Sequence, residues 1–293
     1  MIEIRPRRSA LYMPGSNARA LEKARSLPAD VVILDLEDAV APDAKETARA
    51  QVSAAVSAGG FGPREVVVRV NGLDTPWGEE DLAAAVACVP DAILLPKVST
   101  PAVLATVGRR LATAGAPHKI RIWSMVETPL AILNIAQIAA ATADQATRLE
   151  CFVMGTNDLA KETGARLVPG RAPMLPWLAT SLAAARAHGL SILDGVYNNL
   201  SDADGFAAEC AEGRDMGFDG KTLIHPGQIA AANAAFAPDE AEVARARAII
   251  ATFDAPENAG KGAVNLDGRM VERLHAEMAR RTVSLAEAIA ARG

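Results

Sequence analysis

The feature that most constrains this chain is an alternation repeated eight times. A short apolar run rich in β-branched residues is followed each time by a longer Ala-rich stretch with helical spacing. The runs at 9–13, 31–36, 65–70, 92–97, 121–127, 150–154, 191–196 and 221–224 predict strands, and helices are predicted near 19–26, 44–56, 79–88, 101–114, 130–141, 176–188, 202–216 and 226–235. Most strand runs are apolar without strict alternation, as expected when both faces of a parallel sheet are covered. Eight such units predict an α/β protein built as a closed (β/α)8 TIM barrel over residues 1–236. An open doubly wound sheet would favour a Gly-rich turn after its first strand, and no GxGxxG is present.

Beyond residue 236 the pattern changes. A helix that starts at Ala237-Pro238-Asp239-Glu240 is expected through Ala251, then a link without periodicity over 254–265, then a last helix over 270–292. Residues 237–293 are too few for a comfortable core of their own, so they are expected as a C-terminal helical extension packing on the barrel or on a neighbouring subunit.

Composition excludes several classes of function. The net charge is −5, and the basic doublets Arg7-Arg8, Arg109-Arg110 and Arg280-Arg281 are scattered among acids, so no nucleic-acid partner is expected. Cys88, Cys151 and Cys210 are odd in number and far apart, which argues against disulfides and metal knuckles and for small core residues in a reducing compartment. No stretch is long enough and uncharged enough for a signal peptide or a membrane span, so a cytoplasmic protein without a membrane partner is expected.

A barrel enzyme builds its site from residues where the strands end. Those exits carry Pro14-Gly15, then Asp35, Glu37 and Asp38, then Arg69 and Asn71, then Lys97. The second half supplies Glu127, Gly155-Thr156-Asn157-Asp158, Asp194 with Tyr197, and His225. Glu127 taken alone could cap the helix that starts at Pro129. Glu127 and Asp158, however, end adjacent strands, and two carboxylates with remaining positions left to water and substrate suit Mg²⁺. The four His show no spacing for softer metals. Arg69 could fork onto a substrate carboxylate or bridge Glu37 or Asp38. Lys97 reads more readily as an ion-pair partner than as a Schiff-base lysine, and His225 more readily as a backbone hydrogen-bonder than as a base. Asp219-Gly220-Lys221-Thr222 fails as a phosphate loop because Asp215 stands where its first glycine belongs, and no GxSxG is present.

Taken together, SALYMPG (9–15), LDLEDAV (34–40), VRVN (68–71), LPK (95–97), ETP (127–129), GTNDL (155–159) and GFDGKTLIHP (217–226) resemble, in order, the citrate lyase β-subunit-like family, which includes malyl-CoA lyases. The resemblance implies a Mg²⁺-dependent barrel enzyme, with Mn²⁺ as a substitute, that makes or breaks a carbon-carbon bond between an acyl-CoA and a 2-oxo acid. By the family's pattern Glu127 and Asp158 ligate the metal, Arg69 contacts the oxo acid, Glu37 and Asp38 hold metal-bound water and Arg69, and Pro14, Gly15, Gly155, Thr156 and Asn157 contribute to substrate binding. It further implies a homo-oligomer, a trimer or hexamer, whose C-terminal lid reaches a neighbouring site. There Glu272, in Gly268-Arg269-Met270-Val271-Glu272, stands where malyl-CoA lyases have an Asp as acid/base. The leading expectation is a lyase or synthase acting on malyl-, methylmalyl- or citramalyl-CoA. A thioesterase on the same substrates, a CoA-independent 4-hydroxy-2-oxo acid aldolase and a carrier-dependent subunit are the alternatives. Arg19, Lys23 and Lys45 are generic candidates for CoA phosphates.

Overall fold

Every apolar run becomes a strand in the computed structural model, which describes residues 4–292. The strands are β1 (Ser9–Pro14), β2 (Val31–Asp35), β3 (Glu65–Arg69), β4 (Ala92–Leu95), β5 (Arg121–Val126), β6 (Leu149–Met154), β7 (Ser191–Asp194) and β8 (Gly220–Leu223). They pair in parallel in chain order, and β1 closes on β8, giving the expected (β/α)8 TIM barrel. The helices are α1 (Ala18–Ala24), α2 (Lys45–Ala58), α3 (Gly78–Cys88), α4 (Pro101–Thr113), α5 (Pro129–Leu133), α6 (Ile135–Ala140), α7 (Thr156–Thr163), α8 (Leu175–Ala187), α9 (Ala203–Met216) and α10 (Ile229–Ala235).

The barrel interior is filled by residues two apart along each strand. Ala10, Val31, Ile33, Val67, Ala92, Leu94, Trp123, Met125, Cys151, Val153 and Leu193 form one buried cluster, with Tyr12 packed against it. A strand's side chains alternate between its faces, so residues two beyond this set continue the inward row. Those residues are Asp35, Arg69, Glu127 and Gly155. At the opposite end of the strands Arg7 stacks on Trp123, 4.8 Å from the ring centroid, and forks onto buried Glu65 at 2.7 and 2.8 Å. One end of the barrel is thereby plugged by a paired charge, and the other carries the site.

The expected helix over 130–141 breaks at Asn134 into α5 and α6, because Asn134 caps one segment and opens the next while donating its side-chain amide to Ser99 O at 2.9 Å. Helix α7 lies where no helix was expected: it is eight residues long, begins Thr-Asn-Asp and has only Leu159 and Ala160 as apolar residues. Strand β4 stops at Leu95, and Lys97 takes a left-handed φ of 51° that turns the chain out of the sheet.

The contacts divide the described chain into two units, residues 7–235 and residues 236–292 with 4–6; the outermost residues of the expected domains, 1–3 and 293, lie outside the described residues. The C-terminal unit contains α11 (Glu240–Asp254), β9 (Ala263–Leu266), β10 (Arg269–Glu272) and α12 (Arg273–Ala290). Asp239 and Glu242 cap α11 reciprocally at 2.7 and 2.8 Å. The expectation of a structureless link followed by a helix from residue 270 is corrected here. Residues 263–272 form an antiparallel hairpin turned at Asp267-Gly268, both at positive φ, and the helix starts at Arg273. An Asp-Gly pair between short strands is a hairpin signal. Ala246, Ile249, Val264, Val271, Ala276 and Ala279 form this unit's own small core. All three cysteines are buried and unpaired, and among the described residues no helix is long and apolar enough to cross a membrane.

Candidate active site

The parallel register places Arg69 beside Asp35, the last paired residues of β3 and β2. Arg69 uses its fork there: Nε and Nη2 donate to the two Asp35 oxygens, each at 2.6 Å. Its Nη1 lies 2.8 Å from Glu37 and 3.4 Å from the exposed Asp38, and its guanidinium sits 4.7 Å from the Tyr12 ring centroid. Of the two possibilities raised for Arg69, the bridge to Glu37 and Asp38 is present through Nη1, while the other edge of the guanidinium is held by Asp35. Burial opposes the charge, but Asp35, Tyr12 and Glu37 overcome it and hold the guanidinium well above its ordinary pKa.

Asp35 is the residue whose role the sequence did not disclose. It is fully buried and also accepts from the backbone N–H groups of Glu37 and Ala39 at 2.9 and 3.0 Å, which fixes the turn after β2. Behind that turn Lys45 is buried, donating to Leu36 O, Glu37 O and Asn71 Oδ1 at 2.7, 2.7 and 2.8 Å. The Lys45 ammonium is consumed by this support, so it is not available to a CoA phosphate as its sequence position suggested. Arg19 and Lys23 are exposed on or beside α1 and remain free of that objection.

Glu127 follows β5 and is completely buried. One carboxylate oxygen accepts from Lys97 N at 2.7 Å, while the other, Oε2, is buried with no hydrogen-bond partner. Burial, then the neighbouring charge of Glu37, pushes the Glu127 carboxyl up to about 8, against the backbone donor of Lys97. Such an orphaned oxygen is costly unless a cation or proton meets it. The companion Asp158 lies in the first turn of α7, partly exposed, 3.9 Å from Lys97 Nζ. Lys97 Nζ also donates to Glu37 at 3.0 Å, which makes it an ion-pair partner between two acids. Gly155 has to be glycine, because a Cβ there would lie 2.4 Å from Glu127 Cβ and 2.6 Å from Glu127 Oε2. Gly15 is required similarly, with its Cβ position 2.6 Å from Asp35 O.

Five carboxylates, Asp35, Glu37, Asp38, Glu127 and Asp158, are thus gathered with two cations, Arg69 and Lys97. The excess negative charge and the orphaned Glu127 oxygen fit a hard divalent cation. Among the described residues no group of three or more His, Cys, Asp or Glu has metal-binding geometry, so Glu127 and Asp158 would leave the remaining positions to water and substrate oxygens.

The other exits divide into neighbours of the site and structural posts. Pro14 ends β1, Thr156 is buried, and Asn157 is exposed and exchanges amide hydrogen bonds with Asn198 at 3.2 and 2.7 Å. Asp194 is turned into a buried ion cluster with Arg171 and Lys221 at 2.7 and 2.8 Å. Tyr197 donates to Asp202 at 2.6 Å, and His225 Nδ1 accepts from Gly227 N at 3.0 Å, the backbone role its position suggested. Glu272 belongs to the C-terminal unit, at the N-cap of α12, where its N–H donates to His275 Nδ1 at 2.9 Å.

Residues 8–226 match the HpcH/HpaI aldolase/citrate lyase family. Over 286 residues, 98 % of this chain and 96 % of the relative, the sequence is 51 % identical to a protein named (3S)-malyl-CoA thioesterase from Cereibacter sphaeroides. It is 35 % identical, over 98 % of the chain and 96 % of the relative, to an L-malyl-CoA/β-methylmalyl-CoA lyase from the same species. Among solved structures, the protein CitE from Mycobacterium tuberculosis in complex with magnesium, acetoacetate and coenzyme A superposes with a TM-score of 0.77 at 29 % identity, over 96 % of this chain and 98 % of that one.

Proposed function

Because this chain belongs to the HpcH/HpaI aldolase/citrate lyase family, we propose that it is a Mg²⁺-dependent enzyme of 3-hydroxyacyl-CoA thioesters, and that it hydrolyses a (3S)-malyl-CoA-type substrate. The observation that carries the metal-dependent reading is the buried, partnerless Glu127 Oε2 beside Asp158 in an acid-rich barrel mouth. Preference for hydrolysis over carbon-carbon cleavage, the leading expectation from sequence, rests on 51 % identity to a thioesterase against 35 % to a lyase.

A bound magnesium ion would supply positive charge to polarise substrate oxygens. The chain's own residues would do the rest. With Asp35 occupying one edge of Arg69, Nη1, which Glu37 already meets at 2.8 Å, would also take a substrate carboxylate in place of the exposed Asp38 at 3.4 Å. Glu37, which burial raises above the ordinary carboxylate range against the pull of Arg69, would accept a proton from attacking water. Water adds to the thioester carbonyl carbon, the C–S bond breaks, and the thiol leaves with a proton, giving free hydroxy acid and CoA. The reading includes a homo-oligomer and an acid/base role for Glu272, as the family resemblance implies.

The family favours a second reading, carbon-carbon cleavage to acetyl-CoA and glyoxylate. Incubation with (3S)-malyl-CoA and Mg²⁺ in H₂¹⁸O separates the two. Hydrolysis gives free thiol and malate labelled in one carboxylate, whereas glyoxylate with intact acetyl-CoA would replace the thioesterase reading by the lyase one. Absence of both products would defeat both readings.

A further inference from the structure

A cavity of about 310 Å³ lies at the other end of the barrel from the acidic mouth. It is lined by His118 and Arg121 at the start of β5, by Thr142, Asp144 and Gln145, and by Thr147, Arg148 and Leu149 leading into β6. Glu127 lies at the far end of β5, six residues of strand and roughly 20 Å away at ~3.3 Å per residue. We propose that this cavity binds a small multivalent oxyanion, a phosphate group or a dicarboxylate, through Arg148, Arg121 and His118.

The argument starts from Arg148. It is buried, yet its hydrogen bonds go to two carbonyl oxygens, Pro117 O at 2.7 Å and Ala116 O at 3.1 Å, and among the described residues no carboxylate pairs with it. An unpaired buried guanidinium is unusual, because the charge loses its hydration without gaining a counter-ion. The other buried arginines, Arg7, Arg69 and Arg171, all have carboxylates. Arg148 instead has a second cation nearby: burial, then the charge of Arg121, lowers its pKa. An anion in the cavity would relieve both effects.

The backbone around Arg148 is also built rather than incidental. Arg148 holds a left-handed φ of 53°, a conformation that is strained for a residue with a side chain. The preceding turn is pinned: Thr147 donates to Ala141 O and Asp144 O at 2.9 and 2.8 Å, and Gly108 of α4 lies so close that a Cβ would come within 2.4 Å of Ala146 O. The acids nearby are engaged: Asp144 accepts from Ala146 N at 2.9 Å, and Glu150 pairs with both Arg7 and Arg121 at 3.0 and 3.2 Å. Three basic side chains therefore line the cavity against one acid that serves as a cap.

Thermal unfolding and calorimetric titration of the full chain with inorganic phosphate and with succinate, at ionic strength matched by chloride, test the proposal independently of turnover. Saturable stabilisation by either anion is expected, which of the two succeeds identifying the ligand class, and it should persist in Glu127→Ala. The midpoint should rise about tenfold or more in Arg121→Gln and in Arg148→Met, as expected for losing a charge-assisted hydrogen bond. Should Arg148→Met not fold, Arg121→Gln and the exposed His118→Ala decide. Binding unchanged in those variants, or no saturable response to either anion, overturns the proposal.

Discussion

Replacing Gly155 with Ala would separate the geometry of the acidic site from its charge. No ionisable group is removed, and the residue's φ of −100° is open to alanine, so backbone strain is not at issue. The added methyl would sit 2.4 Å from Glu127 Cβ and 2.6 Å from Oε2. Ordinary carbon contacts are about 3.5 to 4.0 Å, so the two groups must part by roughly 1 Å or more. Glu127 cannot swing freely, because Lys97 N holds its other oxygen at 2.7 Å. Overpacking of this kind costs about 1 to 3 kcal/mol, and alanine's effect on the unfolded chain returns about 0.4 to 1. The net cost is about 0 to 2.6 kcal/mol, a fall in Tm of at most about 10 °C at roughly 2 to 4 °C per kcal/mol. Displacing a catalytic or ligating group by ~1 Å costs on the order of 100-fold. A Mg²⁺ titration of malyl-CoA hydrolysis should therefore show turnover down about 100-fold with a raised Mg²⁺ midpoint, while circular dichroism stays native. Wild-type turnover and an unchanged Mg²⁺ midpoint in a folded Gly155→Ala protein would refute the assignment of Glu127 Oε2 as the metal-facing atom.

Three other outcomes are expected. Glu127→Ala and Asp158→Ala should each abolish Mg²⁺-dependent turnover with the melting transition retained, and Mn²⁺ should support wild-type activity; full activity in either variant returns these acids to a structural role. Glu272→Gln should lose most turnover with substrate affinity kept, measured as a fall in kcat at near-constant KM. Asp194→Asn should cost about 3 to 5 kcal/mol of stability at neutral pH, since it strands part of the buried Lys221–Arg171 charge. Burial would raise the Asp194 carboxyl, but Lys221 and Arg171 outweigh it and hold the carboxyl below the ordinary range, so its stabilisation exists above the unfolded pKa of about 3.9 and fades as pH falls through the lower folded value. Denaturant melts of Asp194→Asn and wild type should accordingly converge below about pH 4, and a gap that widens there contradicts the sign.

The site was legible as a set of positions because strand ends are local events. Glu127, Arg69 and Asp158 could be placed from where apolar runs stop and polar residues begin, and pleat parity alone makes Asp35, Arg69 and Glu127 face inward. Helix α7 was missed because only Leu159 and Ala160 of its eight residues are apolar, and the hairpin at 263–272 because four-residue strands are too short for their pattern to stand out, although the Asp267-Gly268 pair was a usable turn signal.

Partnerships were decided by the tertiary structure. Asp35 and Arg69 are 34 residues apart, and only the β2–β3 register puts the carboxylate under the guanidinium fork. The same holds for Lys45, whose charge is spent on the Leu36 and Glu37 carbonyls, and for Arg148, buried 31 residues from the Pro117 carbonyl it meets. The sequence by itself determined the eight-unit barrel and which residues stand at its mouth, because hydrophobic period and strand length are properties of consecutive residues. Which of those charges are already paired, and which are left without a partner, depends on burial and on distances across strands, and a linear chain carries no such information until it closes.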